Sequence, residues 1–396
     1  MPRLIFTALL FAASLPAFAT EEVFNAPQGG VDVSLFIPAK TKVLRGVLLH
    51  VANYKLEADD RWAELCRSMN YAHMALSMNM KENNRPTKMR KALNDALKPL
   101  AEASSHPELP NLPYMGIGHS AGGMVIQVLS PTPERVVTHC VSCSWIADPA
   151  KLGADAAAAP HLFTLGAIPD AFKMLPDIES HFLPARKAGL PWGLAVQWEC
   201  AHDFGQSATL FVPWMQAIAA ARGPADWNPL TGPATLSSVK QESGWLGDRT
   251  TTSGNFAVIA PFNEFKGDKG DASWLPDQAT ACLWRAVMSK DAPVSLEAAT
   301  SDGKEMLKAF DPKSERGMMI EPGAELVLSA NVSDRISIKK IAFYEGATLL
   351  GESAQAPWQL TWKNIPQGAH AIYAQWTTTN DTLGVTTPAL IVMKGK

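Results

Sequence analysis

The run Gly118-His119-Ser120-Ala121-Gly122-Gly123 constrains this chain more than any other feature. It follows the apolar stretch Leu112-Pro113-Tyr114-Met115-Gly116-Ile117 and precedes the helix-forming Met124-Val125-Ile126-Gln127-Val128-Leu129. Strand, sharp turn and helix, in that order, can hold a serine on a strained turn with its hydroxyl clear of the sheet. Glycines on both sides remove Cβ atoms where the backbone reverses. The helix N-terminus behind the turn favours developing negative charge. In this setting Ser120 reads as a nucleophile, against the alternative of a plain Gly-rich turn.

Around this motif the chain alternates apolar runs with helix-like segments from about residue 31 to residue 259, the pattern of βαβ units and a mostly parallel sheet. Residues 31–37 read as an edge strand, and residues 46–51 as a strand buried on both faces. Further strands are expected at 71–77, 135–141, 161–165 and 194–198, with helices at 61–67, 87–100 and 208–221. Gly223-Pro224 closes the last of these helices. Residues 227–311 are rich in aromatics, which argues against a disordered linker. From about residue 321 the texture changes to short strands divided by turns, which predicts a β-sandwich. The expected division is a signal peptide over 1–19, a catalytic domain over 20–228, a bridging segment packed on it over 229–311, and a sandwich over 312–396.

A serine hydroxyl needs a general base that a carboxylate orients. The partners should stand on strand ends after the elbow, in the order acid then histidine. Asp170 lies in the loop after the strand ending at Gly166, and His202 in the loop after the next strand. Glu199 and Asp203 are competing acids. His50, ending a strand, and Trp145, just past another, are expected to shape the substrate pocket. His119 is expected to pack rather than react.

Residues 31–223 resemble the α/β-hydrolases, in particular dienelactone hydrolase-like and polyester-hydrolase-like members. The resemblance rests on Gly118-His119-Ser120-Ala121-Gly122-Gly123, on Pro160-x-Leu162-x-x-x-Gly166 leading to Asp170, and on Ala201-His202-Asp203-Phe204. The family usually has Gly where this chain has Ala201, places its acid one residue sooner, and often ends the oxyanion strand His-Gly rather than His50-Val51. The tail resembles bacterial Ig-like modules through Phe343-Tyr344-x-Gly346, Pro357-Trp358 and Gly368 ahead of Tyr373. The resemblance implies an α/β-hydrolase fold with a C-terminal Ig-like sandwich. It also implies acyl transfer through Ser120, His202 and Asp170, with the oxyanion held by the backbone N–H of Ala121 and one from Val51 or Ala52, and with no metal or organic cofactor.

Composition narrows the rest. A net charge of −3 provides no basic face for nucleic acid. The start Met1-Pro2-Arg3, a short apolar core and Ala17-Phe18-Ala19 describe a cleavable signal peptide, so a secreted or periplasmic protein is expected. That apolar run is too short for a membrane span. Five cysteines leave at least one unpaired within the chain. Cys140 and Cys143 read as small buried residues, with one local disulfide as the alternative. Trp358, Trp362 and Trp376 are placed in the sandwich core, with a ligand platform as the alternative. The leading expectation is a serine hydrolase of small or polymeric carboxylic esters. The alternatives are a peptidase or amidase using the same residues, and a silent hydrolase-like body whose module binds polysaccharide or a cell surface.

Overall fold

The computed structural model describes residues 22–51, 56, 61–78, 81–82, 84–152, 157–249, 256–290, 292–307 and 317–395, except for the side chain of Asp170. The first body is built on eight strands: β1 (Glu22–Asn25), β2 (Asp32–Ile37), β3 (Gly46–Val51), β4 (Tyr71–Ser77), β5 (Tyr114–His119), β6 (Val136–Ser142), β7 (His161–Gly166) and β8 (Trp192–Gln197). They lie in the order β1-β2-β4-β3-β5-β6-β7-β8. β1 and β2 run antiparallel to their neighbours, and all pairings from β4 to β8 are parallel. This order, with helices on both faces, is the α/β-hydrolase fold. Residues 32–37 thus form an inner strand, because Glu22–Asn25 adds one more strand outside them.

Period-2 alternation sends the strand side chains to two cores. On β3, Val47, Leu49 and Val51 meet helices α2 (Arg85–Ser104) and α3 (Gly123–Leu129). Leu48 points the other way, toward α1 (Arg61–Met69) and the helix after β8. Among the described residues this body also has helices α4 (Pro149–Leu152), α5 (Pro169–Phe172), α6 (Leu175–Lys187) and α7 (Ser207–Arg222). The sheet order reverses between β4, β3 and β5, so the carboxyl ends of β3 and β5 flank a topological switch point, where open α/β sheets bind ligands. Ser120 and Val51 stand at that end.

β8 ends the sheet, yet all six of its residues are buried. An uncovered edge strand exposes a row of unpaired backbone groups. Here the bridging segment covers it with side chains. Ser273 Oγ accepts from Leu194 N–H and donates to Leu194 C=O, at 3.0 and 2.7 Å. Trp284 Nε1 donates to the same carbonyl at 2.9 Å, and Met288 Sδ accepts from Val196 N–H. These residues come from a small sheet, β9 (Trp245–Gly247), β10 (Ile259–Pro261) and β11 (Ser273–Leu275), and from helix α8 (Gln278–Val287). Buried Arg186 on α6 pins the segment by donating to Ala272 C=O and Lys269 C=O.

The second body is a sandwich with its own apolar core. One sheet holds β12 (Val294–Thr300), β14 (Leu326–Val332) and β17 (Gln359–Trp362). The other holds β13 (Gly317–Ile320), β15 (Ile338–Glu345), β16 (Thr348–Ser353), β18 (Gly368–Thr378), β19 (Leu383–Val385) and β20 (Ala389–Met393). The sandwich therefore takes in Val294–Thr300 from the span expected to bridge, because that strand pairs with β14 along its length. Trp362 and Trp376 are buried in this core and Trp358 packs against it, so the ligand-platform alternative fails for the first two. The sandwich is docked on the first body: Ala371, Tyr373, Val385, Leu390 and Val392 share a core with residues of α1, α7 and α8. Among the described residues, no helix is long and apolar enough to cross a membrane. All five cysteines are free thiols, four of them buried.

Candidate active site

The turn after β5 is built by local backbone. Ser120 has φ of 58°, a left-handed conformation rare for a residue with a Cβ. Two glycines make this turn sterically feasible. A Cβ on Gly122 would lie 2.2 Å from the Gly118 carbonyl carbon, and one on Gly118 would lie 2.3 Å from Gly122 Cα. The turn is pinned by Ser120 N–H to Ser142 C=O at 2.9 Å, Gly122 N–H to His119 C=O at 3.1 Å, and Gly123 N–H to Ser144 Oγ at 2.6 Å. Among the described residues, the N–H of Ala121 has no acceptor. It is thus the unused donor at the head of α3, next to the serine.

His202 comes from the loop between β8 and α7. Its Nε2 lies 2.9 Å from Ser120 Oγ, and both side chains are exposed to solvent. The loop lies flat on the end of β7, where a Cβ on Gly166 would come within 1.9 Å of Ala201 O. Backbone bonds from Ala167 N–H to Gln197 C=O and from Ile168 N–H to Cys200 C=O, each 2.9 Å, stitch it to the connection leading into α5. His119 sits beneath, its ring 5.3 Å from that of His202 and edge-on to it. Burial, reinforced by His202, holds His119 below the ordinary imidazole range, while Asp203 and a hydrogen bond to the His202 backbone pull the other way.

The two residues meet in a cleft of about 560 Å³ lined also by Ala121, Met124, Gln127, Cys143, Met174, Arg85, Pro86 and Trp145. Trp145, 64% exposed, is among the residues that line it. Among the described residues, no cluster of His, Cys, Asp or Glu could hold a metal ion.

Of the other expected site residues, Asp170 lies on α5, immediately after β7, and its side chain is outside the described residues. Ala52 is also outside them, while Val51 is buried at the carboxyl end of β3. His50 does not line the cleft: strand alternation turns it into the core, where its Nδ1 meets His73 Nε2 at 2.6 Å and its ring lies edge-on to Trp62. Among the described residues, no carboxylate pairs with Nδ1 of His202. Glu199 faces a separate groove of about 570 Å³ against β12. Cys140 and Cys143 are buried thiols, raised above their ordinary range by desolvation. The contributions of Met174, Arg85 and Gln127 to the cleft carried no sequence signal, because each is brought in by tertiary packing. Ser144 could have been suspected from the polar Ser142-Cys143-Ser144 ending an apolar strand.

An eight-stranded sheet in this order, with a left-handed serine after β5 and a histidine after β8 in contact with it, defines the α/β-hydrolase architecture. Residues 314–374 match the bacterial Ig domain family. No curated protein sequence matches the chain. Similar solved structures include Est1E from Butyrivibrio proteoclasticus, at 12% identity and TM-score 0.33, covering 50% of this chain and 99% of that one. An S-formylglutathione hydrolase from Agrobacterium tumefaciens has 12% identity and TM-score 0.36, with coverage of 52% and 98%. A dienelactone hydrolase from Anabaena variabilis has 18% identity and TM-score 0.32, with coverage of 46% and 88%. The fold rests on the strand order and on the left-handed serine turn after β5.

Proposed function

We propose that the protein is a serine hydrolase of carboxylic esters that works through an acyl-enzyme on Ser120. The observation that carries this reading is the 2.9 Å contact between Ser120 Oγ and His202 Nε2 at an open cleft, beside the unused Ala121 N–H. Ser120 Oγ attacks the ester carbonyl carbon while His202 Nε2 takes its proton. The carbonyl oxygen becomes an oxyanion held by Ala121 N–H and a second donor from Val51 or Ala52; one such donor is worth about 3–4 kcal/mol. Collapse breaks the C–O bond, and His202 returns the proton to the leaving alcohol. Water, deprotonated by His202, then attacks the acyl-enzyme and releases the carboxylic acid and Ser120. Asp170 is proposed to orient His202, on the strength of its place after β7 in the order serine, acid, histidine.

The cleft falls in the range of small-molecule sites, and Met124, Met174, Pro86 and Trp145 suit short apolar acyl or alkoxy groups. Export after cleavage near Ala19 belongs to the same reading and is checked by N-terminal sequencing of the protein recovered from outside the cytoplasm.

The test is hydrolysis of p-nitrophenyl acetate and butyrate by the native chain and by Ser120→Ala. Turnover should fall by at least about 10³-fold in the variant with its melting temperature unchanged. Equal turnover in both would remove the reading.

A further inference from the structure

Beneath the His202 loop, three strands toward their carboxyl ends and the start of α7 carry buried polar side chains. Ser142 on β6, Thr164 on β7, Gln197 on β8 and Ser207 at the start of α7 are each 3% exposed or less. Their hydrogen bonds form one connected group. Thr164 Oγ1 lies 2.7 Å from Ser207 Oγ, Ser142 Oγ lies 3.2 Å from it, and Gln197 Nε2 donates to it at 3.2 Å. His119 Nδ1 lies 3.3 Å from Ser142 Oγ. Burying such groups costs stability unless each is partnered, and an apolar set of similar shape would fill the space at no such cost.

The arrangement of Gln197 shows what this polar group holds. Gln197 is the last residue of β8, and its side chain reaches across the mouth of the loop that follows. Its Oε1 accepts from Gln206 N–H at 2.5 Å, and its Nε2 points at Phe204 C=O, at 3.4 Å, and at Ser207 Oγ. Ser207 Oγ donates to Phe204 C=O, doubling the hold on the same carbonyl. One amide thus ties the outgoing end of the loop back to its incoming end, and His202 lies between them. Ser142 links this clasp to the nucleophile: its carbonyl accepts Ser120 N–H, while its hydroxyl touches Ser207.

We propose that Gln197 is a positioning residue, whose side-chain amide closes the loop over 198–206 and, through Ser207 and Ser142, fixes His202 at bonding distance from Ser120. The proposal rests on the hydrolase reading for its kinetic consequence, but not for its structural one. In a serine hydrolase, the base must hold its place within a fraction of an ångström, and an error near 1 Å costs on the order of 10²-fold. A loop that turns Glu199 and His202 out to solvent gains that precision from bonds at both of its ends.

The test uses the full chain with two variants, Gln197→Met, which keeps length but has no amide, and Ser207→Ala, a smaller change for the case in which the first does not fold. On p-nitrophenyl butyrate, kcat should fall about 10- to 100-fold while KM stays within about 2-fold, since the cleft lining is untouched. Amide hydrogen exchange of residues 203–206 should speed up, with the elbow amides 120–124 unchanged. A merely structural role would lower the melting temperature and leave kcat intact below it. Native-like kcat and native-like exchange in a folded variant would overturn the proposal. If the native chain shows no turnover dependent on Ser120, the hydrolase reading falls, and the exchange measurement alone then decides the clasp.

Discussion

The two halves of the candidate site are held by different means. The Ser120 turn takes its shape mainly from its own neighbours, glycines two residues to either side and the Gly122 N–H to His119 C=O bond, with Ser142 and Ser144 pinning it from the adjoining strand end. The His202 loop is held from a distance, by Gly166 of β7 beneath it and by the Gln197 side chain across its mouth. The nucleophile turn therefore stores strain in its own backbone, whereas the loop with the base borrows its geometry from neighbouring strands. Substitutions should separate the two, costing the fold in the first case and the chemistry in the second.

The largest effect should come from Gly122→Ala. Its Cβ would collide with backbone, which has no rotamer by which to yield, so a loss of about 3 kcal/mol or more is expected. Chemical denaturation checks this, and a native-like midpoint would mean that the turn can relax. His202→Ala removes an exposed side chain instead. Stability should stay within about 0.5 kcal/mol while ester turnover falls by about 10³-fold or more. Circular dichroism melts beside kinetics read both quantities.

Acid should act on the histidines buried in the sheet. Burial holds His50 and His139 well below the imidazole range and brings His73 to about 3. Since these folded values lie under the unfolded value near 6.5, the native state refuses protons that the unfolded chain accepts. Stability should be at its plateau above about pH 6.5 and should fall as the pH drops toward 3, by about 1.4 kcal/mol per unit and histidine. Urea midpoints measured across that window test the sign, and a flat profile would count against neutral buried pairs. Ser273→Ala leaves Leu194 N–H on the covered edge without its acceptor and should cost about 1–3 kcal/mol with kcat unchanged. The smallest change is Trp145→Ala, expected to raise KM for aromatic esters a few-fold and leave the melting temperature alone, because the side chain is largely in solvent.

Much of the first body was legible because its signals are local. Apolar runs and period-3.6 patterns located β3 to β8 and helices α1, α2, α3 and α7, though not α6, and the glycine pattern located the turn. The bridging segment was not legible as an edge cover. Its strands are three residues long, and its role is to supply Ser273 from a strand, Trp284 from α8 and Met288 just after α8 to backbone groups roughly 80–90 positions away. The fate of His50 was equally hidden: a strand-end histidine can face a cleft or a core, and the choice depends on His73 and Trp62 from other elements.

By itself the sequence determined the strained serine turn, the chain order of serine and histidine, and the change from βαβ units to short strands. These follow from neighbours in the chain, where a missing Cβ or a hydrophobic period acts directly. The tertiary structure alone decided that Ser120 and His202, 82 positions apart, come within 2.9 Å of each other, and that a buried amide spans the loop carrying the base. Those distances are set by the packing of parallel strands, and no local rule encodes the separation of two strand ends.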